Sequence, residues 1–343
     1  MVKRRLGREG PEITTLGFGT WALAGRYRYG WGAVDDEESI AAIRRAVEAG
    51  VSWIDTAPTY GDGHSEEVVG RALQPFRAGE EVLVFTKCGR PWRDGEVYFD
   101  LRPESIREEC EASLRRLRVE RIDLYQFHWP DYATGTTVEE SWGTIVELIG
   151  EGKVRWAGVC NFDIPRLERC EAIRHVDSLQ PPFSLLNRDA YGELIPWARE
   201  HGTGAIAYSP MASGLLTGSF NREGLGRLAE DDWRRRAPAF QEPKLSKSLA
   251  FVERLEPIAA RLGVTVASLS LAWVLSVPGV TGAIVGARRP SQLDDWLGAG
   301  DLELDEQALA EIEASLEATG AGTDELPQPP PVAAASWPAW DRG

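Results

Sequence analysis

Between residues 16 and 300, short apolar runs alternate with longer stretches in which apolar positions recur every three or four residues. The runs fall at 16–19, 51–55, 82–87, 122–128, 154–159, 178–180, 204–208 and 282–285, and each predicts a short buried strand. The stretches between them carry helix signals. Asp35-Asp36-Glu37-Glu38 opens one helix with negative charge at its N-terminus, and Ala49-Gly50 closes it. Ser105 begins another in which Ile106, Cys110, Ser113, Leu114 and Leu117 share a face. Helices are expected to start near 36, 65, 103, 138, 164, 193, 245 and 291, the last covering 291–299.

Eight strand–helix units over roughly this length predict an α/β fold, a (β/α)8 TIM barrel, for which about 250 residues is typical. The main competitor is a doubly wound dinucleotide-binding sheet. Its glycine fingerprint is missing, because Gly17-x-Gly19 is followed by Thr20-Trp21-Ala22 and not by a third glycine at a helix start. Three additions to a minimal barrel are expected. Residues 2–14, turning at Gly7 and Gly10-Pro11, read as a β-hairpin placed to plug the barrel base. Residues 209–244 form a long loop after the seventh strand, a length usual for functional lids or disordered linkers. The domain is expected to span 1–318. A Pro/Ala-rich tail over 319–343 reads as flexible, with Trp337 and Trp340 as the residues by which it would dock.

Composition narrows the functional classes. Lys+Arg 38 against Asp+Glu 53 leaves a net charge of −15, which opposes nucleic-acid and anionic-membrane partners. Hydrophobic content of 43% with 27% charged excludes wholesale disorder. No apolar run reaches membrane-spanning length and no apolar core follows the basic N-terminus, so a cytoplasmic protein is expected. Cys88, Cys110, Cys160 and Cys170 lack metal or redox spacing and read as reduced thiols. His64-Ser65-Glu66-Glu67 lacks a full ligand set and reads as a helix start, so no metal site is expected.

In a barrel of this kind, chemistry gathers at the C-terminal strand ends. Those ends carry Asp55, Lys87, His128, Asn161, Gln180 and Tyr208. A charged lysine finishing an apolar strand needs a counter-ion, and Asp55 ends the neighbouring strand. Tyr60, five residues beyond Asp55, can fold back over the same mouth. An adjacent ammonium is expected to lower its phenol below the usual value near 10, making it a better proton donor. His128 would donate a hydrogen bond to a substrate carbonyl. This set suits carbonyl reduction. Hydrolysis by paired carboxylates would need a second acid near Asp55, and none is present.

The segments Phe18-Gly19-Thr20-Trp21, Asp55-Thr56-Ala57-x-x-Tyr60-Gly61, Ser65-Glu66, Leu124-Tyr125-Gln126-x-His128-Trp129-Pro130, Gly158-Val159-Cys160-Asn161-Phe162 and Tyr208-Ser209-Pro210 closely resemble the aldo-keto reductases. The resemblance runs in order from residue 1 to about 318. Its 208–218 segment is similar to the broad bacterial and plant branch related to potassium-channel β-subunits. It implies reduction of an aldehyde, ketone or keto-sugar by hydride from nicotinamide C4, with NADP(H) preferred over NAD(H). Tyr60 would be the general acid, Lys87 and Asp55 its tuning pair, and His128 the orienting group. Asn161 and Gln180 match positions that hold the carboxamide, and Tyr208 the ring stacked beneath the nicotinamide. Gly19, Thr20 and Trp21 match the first loop. Ser209, Pro210, Met211, Gly214 and Leu215 match the segment over the pyrophosphate. Gly286, Arg288, Gln292 and Asp295 match the adenosine end, with Arg288 on the 2′-phosphate. Trp21, Trp92 and Trp129 would wall the substrate pocket around Tyr60 and His128.

Three positions depart from the family pattern: Cys160 where serine is usual, Ser219 where a cation is frequent, and Trp296 where asparagine is frequent. All three bear on the cofactor and leave the four catalytic candidates intact. The same resemblance admits an alternative, a redox-sensing subunit that holds NADP(H) and turns over slowly. Substrate identity and oligomeric state are not legible in the chain.

Overall fold

The computed structural model of the chain describes residues 1–27 and 29–322, so the expected tail, with Trp337 and Trp340, lies almost wholly outside the described residues. Strands β1 (Lys3–Arg5) and β2 (Glu12–Thr14) form an antiparallel hairpin. Eight parallel strands then close into a barrel: β3 (Leu16–Gly19), β4 (Trp53–Asp55), β5 (Leu83–Cys88), β8 (Ile122–Phe127), β9 (Val154–Cys160), β10 (Ser178–Gln180), β11 (Gly204–Ala207) and β12 (Val280–Gly286). The ring is sealed where β12 pairs with β3, Ala283 opposite Leu16 and Gly286 opposite Gly19. A two-stranded ribbon, β6 (Trp92–Arg93) and β7 (Glu96–Val97), sits in the loop after β5. All eight expected barrel strands and the hairpin are present.

The surrounding helices start where their capping chemistry directs. Helix α1 (Asp36–Glu48) begins at Asp35, whose carboxylate accepts from the Glu37 and Glu38 amides, and it buries Ile40, Ala42, Ile43 and Ala46 against the barrel. Helices α2 (His64–Ala72), α3 (Pro103–Leu117), α4 (Val138–Gly150) and α5 (Ile164–Glu171) follow their strands. The cap of α4 is reciprocal, Thr137 and Glu140 each satisfying the other's backbone amide. Short α6 (Asp189–Gly192) precedes α7 (Leu194–His201).

The structure departs from expectation after β11. The 209–244 connection is ordered into short turns and α8 (Arg222–Gly226). Helix α9 (Lys244–Leu262) packs mainly against α11 (Glu306–Thr319), a helix the sequence pattern did not announce. The helix that covers β12 is α10 (Val266–Ser276), buried on nearly every side and therefore lacking an amphipathic stripe. The helix expected over 291–299 is replaced by two 3-10 turns, Pro290–Leu293 and Leu297–Asp301. Gly298 and Gly300 disfavour helix there, and Trp296 is drawn into the core instead. No single described helix is long and apolar enough to cross a membrane; α9 and α10 pass that test only as a pair bent by 88°.

The side chains inside the barrel follow the two-residue period of its strands. Leu6 and Ile13 of the hairpin region close the base, packed with Trp53, Leu83, Phe85, Leu124 and Ile206. The Trp53 indole donates to the Thr14 carbonyl at 2.8 Å, tying hairpin to barrel. One step up each strand the inward positions turn polar: Trp53 gives way to Asp55, Phe85 to Lys87, Leu124 to Gln126. Gly17 is part of this packing, because a Cβ there would sit 2.2 Å from the Trp53 ring. Gly17→Ala is therefore expected to lose about 1–3 kcal/mol of stability through overpacking. Denaturant titration checks this, and a midpoint equal to wild type would show that Trp53 can move aside.

Candidate active site

At the C-terminal mouth of the barrel a cavity of about 1380 Å³ runs from Tyr60 and His128 across the strand ends to Arg288. Behind Tyr60, the Lys87 ammonium lies 2.5 Å from Asp55 Oδ1 and 2.9 Å from the Thr56 carbonyl, with both ionic side chains out of solvent. It also reaches the Tyr60 hydroxyl at 3.5 Å and lies 5.3 Å from the centre of that ring. The other Asp55 oxygen accepts from Gln180 Nε2 at 3.0 Å and from Gln126 Nε2 at 3.3 Å. His128 is 3.0 Å through Nδ1 from the Thr59 hydroxyl, and its ring meets Tyr60 edge-on at 5.8 Å.

Burial governs the protonation of this group. His128 is held well below the usual histidine value by desolvation, with Lys87 and Arg90 adding to the effect, so the ring is neutral. Burial alone would lower Lys87, but the Asp55 carboxylate more than compensates and keeps it above its ordinary value. Tyr60 contradicts the sequence expectation. Desolvation outweighs the pull of Lys87, and the phenol is pushed up to about 12. The ammonium moderates a rise and does not produce a net fall.

The structure gathers most of the sequence candidates around one cavity. Gly19, Thr20, Trp21, Asp55, Tyr60, His128, Trp129, Asn161, Gln180 and Tyr208 line it at the barrel end. Ser209, Pro210, Met211, Gly214, Leu215, Gly286, Arg288, Gln292 and Asp295 line it further along. Lys87 stands behind this wall. Trp92 is also set back: its indole donates to the Thr59 carbonyl at 3.2 Å and its ring packs on Tyr27.

Several expected binding groups are engaged within the protein. Asn161 Nδ2 donates to the His128 carbonyl at 2.9 Å, and Asn161 Oδ1 accepts from the Tyr208 hydroxyl at 2.9 Å. Arg288 donates to the Trp31 carbonyl at 3.1 Å and to the Ala33 carbonyl, while its backbone amide donates to Gln292. Cys160, Ser219 and Trp296, the three departures from the family pattern, all line the cavity.

The lining fits an extended, partly anionic ligand. Amide side chains flank a tyrosine at one end, the backbone coils through left-handed Ser209, Ala212, Ser213 and Gly214 in the middle, and Arg288, Lys244 and Lys247 supply positive charge among the remaining walls. A nicotinamide dinucleotide has this sequence of carboxamide, ring and phosphates.

Sequence reasoning missed one part of the mouth. Trp31 and Trp233 come from the loops after β3 and β11 and meet there, with centroids 6.0 Å apart. Trp21 packs on both, and Arg234 lies over Trp31 at 4.4 Å. Neither loop has periodicity, so only the density of tryptophan could have signalled the contact.

Known proteins of similar sequence and fold point to one family. The family model described as the Aldo/keto reductase family matches residues 15–317. The chain is 35% identical to "Aldo-keto reductase YhdN" of Bacillus subtilis (strain 168), over 90% of this chain and 92% of that protein. It is 34% identical to the "NADH-specific methylglyoxal reductase" of Escherichia coli (strain K12), over 92% of this chain and all of that protein. The solved glycerol dehydrogenase AKR11B4 from Gluconobacter oxydans superposes with a TM-score of 0.83 at 35% identity, covering 95% of this chain and 98% of that one.

Two measurements follow from the electrostatics. Lys87→Met strands the Asp55 carboxylate and should cost about 3–5 kcal/mol, with much of that recovered when Asp55→Asn is added. Additive losses in the double variant would sink this account of the pair. For His128, the unfolded chain binds a proton near pH 6.5 while the folded protein resists it. The unfolded state therefore holds more protons as the pH falls, and the stability His128 contributes is full above about pH 6.5 and lost below it. The stability difference between wild type and His128→Gln should narrow between pH 7.5 and 5. A constant difference would mean that His128 titrates normally in the fold.

Proposed function

The chain belongs to the aldo/keto reductase family, and on that premise we propose that it reduces an aldehyde, ketone or keto-sugar to the alcohol with Tyr60 as proton donor. The family's chemistry is oxidoreduction of small carbonyl compounds. The observation that carries the specific reading is the cluster of Tyr60, Lys87, Asp55 and His128 at the barrel end of the long cavity. A bound nicotinamide cofactor supplies the hydride from C4. Asn161 and Gln180 would hold its carboxamide and Tyr208 would pack beneath its ring. The 209–215 segment would cover the diphosphate, and the Arg288, Gln292 and Asp295 group would meet the adenosine end.

The remaining chemistry is the protein's own. With Nδ1 engaged by Thr59, neutral His128 has its other ring nitrogen to offer from the cavity wall, and would donate to the carbonyl oxygen and orient it. As negative charge builds on that oxygen, Tyr60 transfers its hydroxyl proton to it. A phenol near 12 is still a far stronger acid than a hydroxyl group such as bulk water at about 15.7, so the transfer is downhill. Lys87, fixed by Asp55 and Thr56, stabilises the phenolate left behind. Charge pairing thus acts mainly on the product of proton transfer.

NADP(H) in preference to NAD(H) is part of this reading, supported by Arg288 beside the cavity. Two N–H groups of the guanidinium are given to the Trp31 and Ala33 carbonyls, and the others would be the ones to meet a 2′-phosphate. The relative described as NADH-specific makes this the point most in need of direct titration.

Wild type and Tyr60→Phe should be compared with NADPH and NADH on aromatic aldehydes, methylglyoxal and keto-sugars. Loss of the acid is expected to lower kcat by about 10²–10⁴ while cofactor binding is kept. Undiminished turnover by the phenylalanine variant would remove Tyr60 from the reaction. NADH binding equal to or tighter than NADPH would overturn the cofactor preference, and tight binding without turnover of any carbonyl would favour the sensing subunit.

A further inference from the structure

One buried polar group near the site has no part in the chemistry above. Gln126 lies in β8 with its side chain fully out of solvent, and it does not line the cavity. Its strand neighbours are Lys87 on β5 and Gly158 on β9. A Cβ on Gly158 would come within 3.1 Å of Gln126 Cγ and 2.8 Å of the Ser178 carbonyl, so the glycine leaves the room that the amide occupies. Gln126 Nε2 donates to Asp55 Oδ2 at 3.3 Å, and Gln126 Oε1 accepts from Gln180 Nε2 at 3.4 Å. Gln180 Nε2 donates to the same Asp55 oxygen at 3.0 Å. Asp55, Gln126 and Gln180 stand on the second, fourth and sixth barrel strands, and side chains of alternate strands share a layer in such barrels. Of the two amides, only Gln180 faces the cavity.

The two amides therefore hold one carboxylate oxygen under different obligations. With Gln180 Nε2 donating to Asp55 and to Gln126, Oε1 is the end of that amide left to accept from a ligand carboxamide. Gln126 Oε1 is one of the two acceptors that keep the amide this way round. Without it, only Asp55 Oδ2 holds Gln180 Nε2, and the donation from Gln126 to that same oxygen is lost as well. We infer that Gln126 is a positioning residue that holds the Gln180 amide with Oε1 toward the nicotinamide carboxamide, coupling cofactor docking to the Lys87–Asp55 pair. The inference rests on the cofactor reading proposed above.

A double-mutant cycle on cofactor affinity tests it. Dissociation constants for NADPH, read by fluorescence, are needed for wild type, Gln126→Met, Gln180→Leu and the double variant, with Gln126→Leu as a second substitution should methionine fail to fold. Gln126→Met is expected to weaken binding about tenfold, a change of about 1.4 kcal/mol. In the Gln180→Leu background the same substitution should change affinity by less than about twofold, because no amide remains there for Gln126 to orient. A merely structural glutamine would weaken binding equally in both backgrounds, and that result, or full affinity in Gln126→Met, overturns the coupling. Wild type that binds neither NADPH nor NADH overturns the functional reading itself, and the coupling with it.

Discussion

An ammonium and a carboxylate set 2.5 Å apart at the top of a closed barrel impose most of the local architecture. Withdrawn from water, such a pair is stable only if the remaining lone pairs and protons also find partners. The Thr56 carbonyl takes one Lys87 proton, and two amides occupy the far oxygen of Asp55. Those partners must come from neighbouring strands, so β4, β5, β8 and β10 each place a polar side chain in the barrel where the apolar layer ends. The alternation that buries Trp53, Phe85 and Leu124 beneath them is the same alternation that aims Asp55, Lys87 and Gln126 at one another. Core and site are consecutive layers of one packing pattern.

Burial then assigns the protons. It keeps His128 neutral and keeps Tyr60 protonated, and it fails to discharge Lys87 mainly because Asp55 is in contact. A donor that holds its proton in the resting state, with a fixed cation ready for the anion it leaves, is a consistent arrangement for reducing a carbonyl. The segments after β3 and β11 lean together through Trp21, Trp31 and Trp233, and the Arg288 bonds to the Trp31 and Ala33 carbonyls extend that contact toward the far end of the cavity.

The sequence was most legible where a period existed. All eight barrel strands and seven of the expected outer helices occur close to where alternation and capping residues placed them. Helix α10 escaped because it is buried on nearly every side and carries no stripe, so 245–262 was counted as the barrel helix in its place. The 291–299 stretch has helical spacing but also Gly298 and Gly300, which tertiary packing settled as tight turns. Strand ends pointed to Asp55, Lys87, His128, Asn161, Gln180 and Tyr208 because a polar residue finishing an apolar run is conspicuous. Gln126 is equally polar but lies inside its run, two residues before His128, where the end-of-strand rule does not look. The direction of the Tyr60 shift was misjudged for a related reason. An adjacent cation can be read from the chain, whereas the desolvation opposing it depends on how the folded chain surrounds the hydroxyl, which has no local signature.

The division between strands and loops also bears on selectivity. On the proposed reading, the substrate oxygen is fixed by Tyr60, which the strand residue Lys87 reaches, and by His128, which Thr59 holds at the end of β8. The rest of the substrate would meet Trp21, Tyr27, Tyr29, Trp31, Trp129 and Trp233, a mainly aromatic part of the cavity lining. Such surface attracts in proportion to the area it covers, and an added or missing methylene changes binding by only about 1–3 kcal/mol. Sharp discrimination would require polar groups that go unsatisfied with the wrong substrate. The Trp21 indole is a potential group of that kind, but it is already bonded to the Tyr27 hydroxyl and the Tyr29 carbonyl. A mouth built in this way fixes the carbonyl closely and the remainder of the molecule loosely, so the physical expectation is broad acceptance of carbonyls, graded by apolar size.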